Sequence, residues 1–300
     1  MATSFSIIMP ETPLTAIILT FNEEINIVRC LNCLDWADDV VIVDSGSADR
    51  TLELAAQARP DIRVFTHPFK DFGDQRNWAL DNVQPKHEWV LFVDADEFCV
   101  PELAREIGEY IRSPGDTVGA FIAGKNHFMG KWLRHSGLYP SYQLRLLKMG
   151  AVRYRKEGHG QREVTDGKAA FLKEGWIHEG FSKGLTNWLD KHNRYSTEEV
   201  DLMVRLRSEP PGLRQLFSKN PLRRRECMKR MGAKLLPLMP LLRFGYRYGL
   251  RGGFLDGKPG FLFSLLYASV SIQVVAKVYE AERNRTPMGD DRARRPSNRI

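Results

Sequence analysis

Two carboxylates separated by one residue follow a strongly apolar run of the chain. Asp94 and Asp96 come directly after residues 89–93, and the alternation of an extended strand would point both side chains the same way. Such oxygen ligands suit Mg²⁺ or Mn²⁺, which bind through one or two carboxylates together with substrate phosphates. The alternative interpretation is an acidic turn that caps a helix predicted to start near Pro101.

Polar residues also follow two earlier apolar runs. Residues 14–19 precede Thr20, Phe21 and Glu23, and residues 40–43 precede Asp44. Asp44 could hold a base imide or a ribose hydroxyl, and Phe21 offers an aromatic face to a base; ordinary turn and cap roles are the alternative. Ligands of parallel sheets bind beyond the carboxyl ends of the strands. Together, the three polar strand ends therefore predict a site for metal and phosphate.

One cation is a candidate partner for that phosphate. Arg76 lies in a predicted helix at residues 73–82, where its guanidinium could sit on a phosphate group. A plain surface helix explains the same residue equally well.

The elements that must position these side chains alternate along the first hundred residues. Apolar strands are predicted at residues 14–19, 40–43, 63–65 and 89–93, with a helix opened by residues 22–24 and others at 48–58 and 73–82. This alternation predicts an α/β fold with a mostly parallel sheet covered on both faces. Residues 115–195 are rich in Gly, His and aromatic side chains, which predicts a loop-rich region that completes a pocket.

Composition excludes several classes of protein. The chain has 300 residues, 43% of them hydrophobic and 27% charged, with a formal net charge of +7; this is ordinary globular usage, not that of a disordered, collagen-like or disulfide-stapled chain. Cys30 and Cys33 lack a second pair for a structural zinc site, so a buried, reduced thiol pair is expected. The first residues lack a secretory signal, so a cytoplasmic location is expected.

The last third of the chain is basic and apolar at once. Residues 205–258 carry fourteen Lys and Arg against three Asp and Glu. A nucleic-acid surface would need a recognisable reading motif, and none is present, so no nucleic-acid partner is expected. Interleaved Leu, Met, Phe and Tyr favour an anionic membrane surface over a solvated helix face. The uncharged residues 259–276 are at the lower limit for a span, and their Ser and Gln residues favour an interfacial or core helix.

Four segments in order carry a resemblance to a known family. Residues 18–24, 41–51, 75–77 and 93–97 resemble family 2 glycosyltransferases of the GT-A fold, in particular those that make bacterial lipopolysaccharide core or exopolysaccharide. The resemblance covers residues 13–100 and extends more loosely to 200. It implies a GT-A domain at 13–200. The basic and apolar composition after it predicts a helical, membrane-associating region at 201–282, and the polar, basic end of the chain predicts a disordered tail at 283–300.

The resemblance also implies roles for individual residues. It implies inverting transfer from a nucleotide-diphosphate sugar, with Mg²⁺ or Mn²⁺ held at the Asp-x-Asp (DXD) motif by Asp96 and Asp94. The remaining contacts to the donor would be Thr20, Phe21, Glu23 and Asp44 to the nucleoside, Arg76 to the phosphate region, and Asp94 to the ribose or sugar.

An inverting transfer needs a general base for the acceptor hydroxyl. Relatives often carry a His-Glu pair after the Asp-x-Asp motif, and this chain offers two candidates. One is Glu163 with His159 nearby, and the other is Glu179 with His178 beside it. Both stay open, since each His could equally be a structural hydrogen-bond donor.

The function expected from these features is sugar transfer to a lipid-linked or lipopolysaccharide acceptor on the inner face of the cell membrane. A dinucleotide oxidoreductase is disfavoured, because the turn after the first strand lacks Gly-x-Gly-x-x-Gly. A non-catalytic, membrane-associated nucleotide-binding adaptor remains the alternative, and metal-dependent sugar transfer would distinguish the two.

Overall fold

A computed structural model describes residues 12–157, 160–210 and 230–285, together with residues 212, 214, 217 and 227. The chain divides into two compact units, each described by itself below. The first contains the residues up to Asp190 together with Tyr246–Ser264, and the second contains Lys191–Gly245 and the residues from Leu265 onwards.

Strands and helices alternate through the first unit as the sequence predicts. The strands found in the described residues are β1 (Thr12–Thr20), β2 (Ala37–Asp44), β3 (Arg63–Thr66), β4 (Trp89–Asp94), β5 (Glu97–Phe98), β6 (Thr117–Phe128), β7 (Lys131–Trp132), β8 (Tyr142–Lys148), β9 (Arg153–Glu157), β10 (Gly160–Val164) and β11 (Lys168–His178). The α-helices are α1 (Ile27–Asn32), α2 (Thr51–Ala58), α3 (Phe72–Asn82), α4 (Pro101–Arg112), α5 (Gly184–Ser208), α6 (Met239–Phe244) and α7 (Gly257–Arg285). A short π-helix (Gly245–Leu250) and two 3₁₀ turns (Leu236–Leu238 and Gly253–Asp256) are also present.

One large sheet runs in the order β3-β2-β1-β4-β8-β6-β11-β5, with β7 paired to β6. The strands β3, β2, β1 and β4 are parallel, β8 is antiparallel to both of its neighbours, and β6 and β11 are again parallel. A separate hairpin joins β9 and β10. The predicted α/β class, with a largely parallel GT-A type of sheet and C-terminal helices, is confirmed.

The register brings the polar strand ends to one edge. Thr20 at the end of β1 lies opposite Asp44 at the end of β2, and Leu19 lies opposite Asp94 at the end of β4. Because these three strands are parallel, their carboxyl ends share the same edge of the sheet.

Both faces of the sheet are covered, as the continuous apolar runs predict. Ala16 and Ile18 of β1 pack with α1 and α4 in one buried cluster. Ile17, which points the other way, packs with Ala79 of α3 and Tyr154 of β9 in a second. The alternation of a strand thus assigns successive residues to opposite cores.

Three sequence predictions on this region need correction. The helix expected from residues 22–24 begins at Ile27, and the helix expected from residue 48 begins at Thr51, because side chains in both loops bond to backbone groups instead. The region 115–195, expected to be loop-rich, contains the long strands β6 and β11. Its aromatic residues suit half-buried strands as well as pockets.

Cys30 lies in α1, and Cys33 directly follows it. All four are free, with Cys30 buried and Cys33 partly exposed. The Cys33 sulfur accepts a hydrogen bond from the Cys99 backbone nitrogen at 3.1 Å. A hydrogen bond from the Cys30 thiol to Cys33, together with burial, raises the pKa of Cys30.

The second unit has a small core of its own. Val200, Leu236 and Val278 are buried together, and Lys277 donates hydrogen bonds to Asn193 and Thr197. Among the described residues, one helix, Gly253–Asn284, is long and apolar enough to cross a membrane by length and composition. The predicted boundaries at residues 200 and 282 stay predictions, and residues 286–300 of the expected tail lie outside the described part.

Candidate nucleotide and metal site

Two loops at the carboxyl edge of the sheet are bonded to each other. Asn22, held in a left-handed conformation at φ 53°, donates its backbone N–H to Ser47 Oγ at 2.8 Å and accepts the N–H of Ala48 at 2.8 Å. The next residue, Glu23, donates its backbone N–H to Thr51 Oγ1 at 2.6 Å. The loops after β1 and β2 therefore form one preorganised surface.

The Asp44 carboxylate bonds to residues of both loops' flanks and of the turn after β2. This buried carboxylate accepts hydrogen bonds from Thr20 Oγ1 at 2.9 Å, from Ser47 Oγ at 2.6 Å, and from the backbone N–H groups of Gly46 and Ser47 at 2.9 and 2.8 Å. Gly46 has φ 88°, which favours glycine. The turn role is thus shown, while the nucleoside contact of Asp44 and Thr20 stays a prediction.

Glu23 and Phe21 lie on the same surface. Phe21 is half exposed, as a face for a base requires. The Glu23 carboxylate contacts Lys183 Nζ at 2.5 Å and Asn26 Nδ2 at 2.7 Å, and Lys183 also donates to the Phe21 carbonyl at 3.0 Å. Burial, and then the charge of Asp96, raise the pKa of Glu23.

Beneath this surface, Asp94 belongs to a buried ionic network. Its Oδ1 lies 3.0 Å from Arg76 Nη2 and 3.1 Å from Arg145 Nη1, and its Oδ2 lies 2.5 Å from Arg145 Nη2. Arg145 Nη2 also contacts Glu97 Oε1 at 2.7 Å. Arg76, Arg145 and Glu97 are all buried, so the network fixes the end of β4 against α3 and β8.

The network sets the charge of its members. Burial would raise the pKa of the Asp94 carboxyl, but the charges of Arg145 and Arg76 outweigh it and hold that pKa well below its usual range. Burial raises the pKa of Glu97. Burial would likewise lower the pKa of Arg145, but Asp94 and Glu97 raise it instead.

Sequence reasoning missed Arg145 and Glu97 as site residues. The signal for Arg145 was a single charge inside an apolar run, residues 144–147, in a strand whose centre is buried. A buried charge requires a paired partner, and residues 94–97 are one of the acidic clusters at that edge of the predicted sheet.

Arg76 lies deeper than a phosphate ligand was expected to lie. Besides Asp94, its guanidinium contacts Gln161 Oε1 of β10 at 3.1 Å and lies over the rings of Phe92 and Tyr154. Its predicted contact with the donor phosphates stays a prediction.

Asp96, just after β4, and His178, the last residue of β11, face each other. His178 Nε2 lies 3.5 Å from Asp96 Oδ2, and His178 Nδ1 lies 2.8 Å from Asn126 Oδ1. The Asn126 amide is oriented by its own bond from Nδ2 to the Gly137 carbonyl. The amide oxygen of Asn126 can only accept, so Nδ1 carries a proton, and Nε2 is the ring nitrogen that faces Asp96.

This donor set fits a divalent cation. A carboxylate oxygen and an imidazole nitrogen, with the second ring nitrogen held by an amide oxygen, are what a bound metal requires of the protein. No cluster of three or more His, Cys, Asp or Glu side chains suited to a metal occurs in the described residues. Substrate oxygens would therefore have to complete the coordination.

The two candidate bases lie in different places. The Glu179 backbone N–H donates to the Asp96 carbonyl at 2.9 Å, and its carboxylate lies 3.5 Å from His127 Nδ1 and 3.9 Å from Arg29 Nη1. Glu163 lies on the β9–β10 hairpin opposite Tyr154. His159 lies outside the described residues. The structure thus brings Glu179 and His178 to Asp96, and sets Glu163 on the hairpin that contacts Arg76 through Gln161.

Known proteins resemble this chain over different shares of its length. The lipopolysaccharide core biosynthesis glycosyltransferase LpsC of Rhizobium meliloti (strain 1021) is 26% identical over 278 residues, covering 91% of this chain and 94% of that protein. The prophage-derived glycosyltransferase SunS of Bacillus subtilis (strain 168) is 30% identical over 105 residues, covering 34% of this chain and 24% of its own.

Two solved structures also align. S. aureus TarS (residues 1–349) is 14% identical with a TM-score of 0.40, covering 92% of this chain and 93% of that one. Glucosyl-3-phosphoglycerate synthase from Mycobacterium tuberculosis, in complex with Mn²⁺, uridine-diphosphate and phosphoglyceric acid, is 14% identical with a TM-score of 0.42, covering 65% and 78%.

The family comparison covers most of the edge described above, up to His178. Residues 15–178, more than half of the chain, match the family model described as Glycosyl transferase family 2. The match begins inside β1 and ends at His178, so it includes the loops after β1 and β2, the ionic network and the Asp96–His178 pair. This chain belongs to glycosyl transferase family 2.

Proposed function

We propose that this glycosyltransferase transfers a sugar, with inversion, from a nucleotide-diphosphate sugar to a lipid-linked or lipopolysaccharide acceptor. The observation that carries the proposal is the convergence of Asp44, Asp94 and Asp96 at one edge of the sheet, inside the family match. The likeness to LpsC along 91% of this chain supports an acceptor of the lipopolysaccharide-core class.

The donor would lie across the bonded loops after β1 and β2. Thr20, Phe21, Glu23 and Asp44 are the proposed nucleoside contacts. Because these loops already hold each other through Asn22 and its partners, little ordering would be needed when the nucleotide binds, which favours affinity.

Asp96 and His178 are the proposed holders of Mg²⁺ or Mn²⁺ next to the donor diphosphate. When bound, the cation would supply positive charge that stabilises the departing nucleotide diphosphate. Asp94 has a different part in this arrangement: with both oxygens bonded to Arg76 and Arg145, it fixes the backbone that presents Asp96.

Glu179 is the proposed general base. Its backbone is bonded to Asp96, so its carboxylate belongs to the part of the edge where the sugar would lie. It would accept the proton of the acceptor hydroxyl as that oxygen attacks the anomeric carbon. Glu163 remains the second candidate, since its hairpin contacts Arg76 through Gln161.

The acceptor class implies work at a membrane. Residues 201–282 contain most of the basic and apolar residues of the C-terminal third, and we place the protein on the inner face of the cell membrane, held at the anionic surface. An adaptor that binds nucleotide without chemistry would share this location.

The experiment combines binding with transfer. Nucleotide diphosphates at 100 times their Kd should raise the unfolding free energy by about 2.7 kcal/mol, and the effect should require Mn²⁺ or Mg²⁺. Mass spectrometry should then detect a sugar added to extracted lipid-linked glycans. Stabilisation without transfer from any nucleotide sugar would favour the adaptor. The absence of both stabilisation and transfer would contradict the proposal.

A further inference from the structure

The segment 246–264 returns to the first unit and packs onto the loop between β7 and β8. The buried Asp256 carboxylate accepts hydrogen bonds from the backbone N–H and the hydroxyl of Ser136, both at 2.7 Å, and from the backbone N–H of His135 at 3.1 Å. Lys131 Nζ donates to the Asp256 carbonyl at 2.9 Å. One face of the segment is therefore firmly attached to the rest of the first unit, which we call the catalytic unit because it contains the candidate site.

Its arginines also point toward the protein. Arg247 Nη1 donates to the Ser136 carbonyl at 2.7 Å, and its guanidinium lies over the ring of the buried Phe263. Arg251 Nη2 donates to the Tyr139 carbonyl at 2.9 Å. The sequence predicts that these cations face anionic lipid, but in the structure Arg247 and Arg251 donate hydrogen bonds to backbone carbonyls of residues 136 and 139.

The opposite face exposes large apolar side chains. Leu250, Phe254 and Leu255, which we call the apolar patch, are 81%, 54% and 60% exposed. Backbone hydrogen bonds from Leu255 to Gly252 and from Gly252 to Gly249 hold them in one compact turn. Gly253 permits the turn to close, since a Cβ there would lie 2.6 Å from the Arg247 carbonyl oxygen. In this turn the cations bond to the protein and the large apolar side chains face solvent. A turn that stayed in water would be expected to do the opposite.

Exposed cations lie beside the apolar patch. Lys258 follows the patch in sequence, and Lys131 donates a hydrogen bond to the carbonyl of Asp256, the neighbour of Leu255. Arg134 directly precedes His135, whose backbone N–H donates to the Asp256 carboxylate. The one acidic side chain of the segment 246–264, Asp256, is buried and satisfied by its hydrogen bonds. Apolar side chains bordered by cations match the acyl boundary and the anionic headgroups of a bilayer.

We propose that the apolar patch, bordered by Lys131, Arg134 and Lys258, is a surface by which the catalytic unit docks on an anionic phospholipid bilayer. This inference rests on the proposed function, which places the protein at the membrane, and it names the residues that would make the contact. Contact is made by the catalytic unit itself, so membrane attachment and the nucleotide edge belong to one compact body. Insertion of the apolar patch supplies a component of binding that salt does not screen.

The test uses the 300-residue chain and vesicles of phosphatidylcholine with or without phosphatidylglycerol. Replacing the apolar patch in L250S/F254S/L255S should weaken partition about 30-fold or more, from the loss of buried apolar area. R134E/K258E should weaken it on anionic vesicles by at least about fivefold. Phe171→Ser changes a phenylalanine of comparable exposure, 61%, elsewhere on the unit, and should match the wild type, whereas Phe254→Ser should not.

A second measurement guards against misfolding. In Leu250→Trp, the added fluorescence should be quenched by brominated phospholipid; unquenched emission would overturn the proposal. The proposal would also be overturned if the triple variant bound vesicles as strongly as the wild type. The same holds if sedimentation showed that the wild type self-associates through the apolar patch while the variants bind vesicles unchanged.

The two proposals fail separately. Binding of a nucleotide diphosphate with Mn²⁺, measured on the same variants without vesicles, should survive replacement of the apolar patch. If the chain binds nucleotide but its partition onto vesicles does not change when the apolar patch is replaced, only the docking proposal is refuted. Patch-dependent partition in a chain that binds no nucleotide would remove the proposed function and leave the docking surface intact.

Discussion

The guanidinium of Arg145 contacts both carboxylate oxygens of Asp94, with Nη1 3.1 Å from Oδ1 and Nη2 2.5 Å from Oδ2. Planar two-point pairs of this kind add geometric specificity to the attraction of the charges. This pair joins the end of β4 to the antiparallel strand β8, and so fixes the first residue of the Asp-x-Asp motif in direction as well as in position.

Replacing Arg145 should destabilise the fold. Arg145→Met would leave Asp94 with one partner and Glu97 without its cation, and removal of one member of a buried pair costs about 3–5 kcal/mol. Urea unfolding should show this loss. Arg145→Lys should recover part of it, because an ammonium replaces the charge but not the two-point geometry. A loss below about 0.5 kcal/mol in Arg145→Met would contradict the structural role of the network.

The contribution of Asp94 should depend on pH. Its pKa is lower in the folded chain than in the unfolded one, so its stabilisation is complete above the ordinary aspartate pKa and is lost as pH falls through the folded pKa. The difference in unfolding free energy between wild type and Asp94→Asn should therefore be widest near neutral pH and should narrow below about pH 4. Asp61→Asn, at an exposed aspartate, should show no comparable narrowing; a gap in Asp94→Asn that widens in acid would refute the assignment.

Asn126 should influence metal affinity without being a ligand. Its Oδ1 holds His178 Nδ1, and loss of such an outer partner typically lowers metal affinity about 10- to 100-fold. Titrating Mn²⁺ against nucleotide-dependent thermal stabilisation should show this in Asn126→Ala. Asn82→Ala, which removes an exposed amide bonded within α3, is the matched control. Equal Mn²⁺ dependence in the two variants would remove His178 from the proposed metal site.

The two candidate bases can be separated by matched substitutions. Glu179→Gln should lower the transfer rate about 10²- to 10⁴-fold, because an amide cannot accept the acceptor's proton. Nucleotide binding should be unaffected. Glu163→Gln should retain transfer close to wild type. The reverse pattern would assign the base to the β9–β10 hairpin.

The sheet was predictable because its strands are buried on both faces. Residues 14–19, 40–43 and 89–93 form continuous apolar runs, and each run became a strand that ends within one or two residues of the predicted limit. The polar residues after these runs then had to share an edge. Local pattern and overall topology agree in this part of the chain.

The ionic network was not predictable to the same degree, because it joins residues that are distant in sequence. Arg145 and Asp94 are separated by 51 positions, and only the antiparallel pairing of β8 with β4 brings them together. The strands of residues 117–178 were hidden for a related reason. Glycine and polar residues interrupt their apolar pattern, and half-buried strands tolerate such interruptions where fully buried strands do not.

The attachment of residues 246–264 to the first unit has a consequence for how the protein is made. Asp256 satisfies donors of His135 and Ser136, more than a hundred positions earlier in the chain. During synthesis those donors emerge from the ribosome long before their acceptor, although domains generally fold as units while the chain grows. The catalytic unit therefore cannot be completed until residue 264 has left the exit tunnel, and its completion includes the turn that carries Leu250, Phe254 and Leu255.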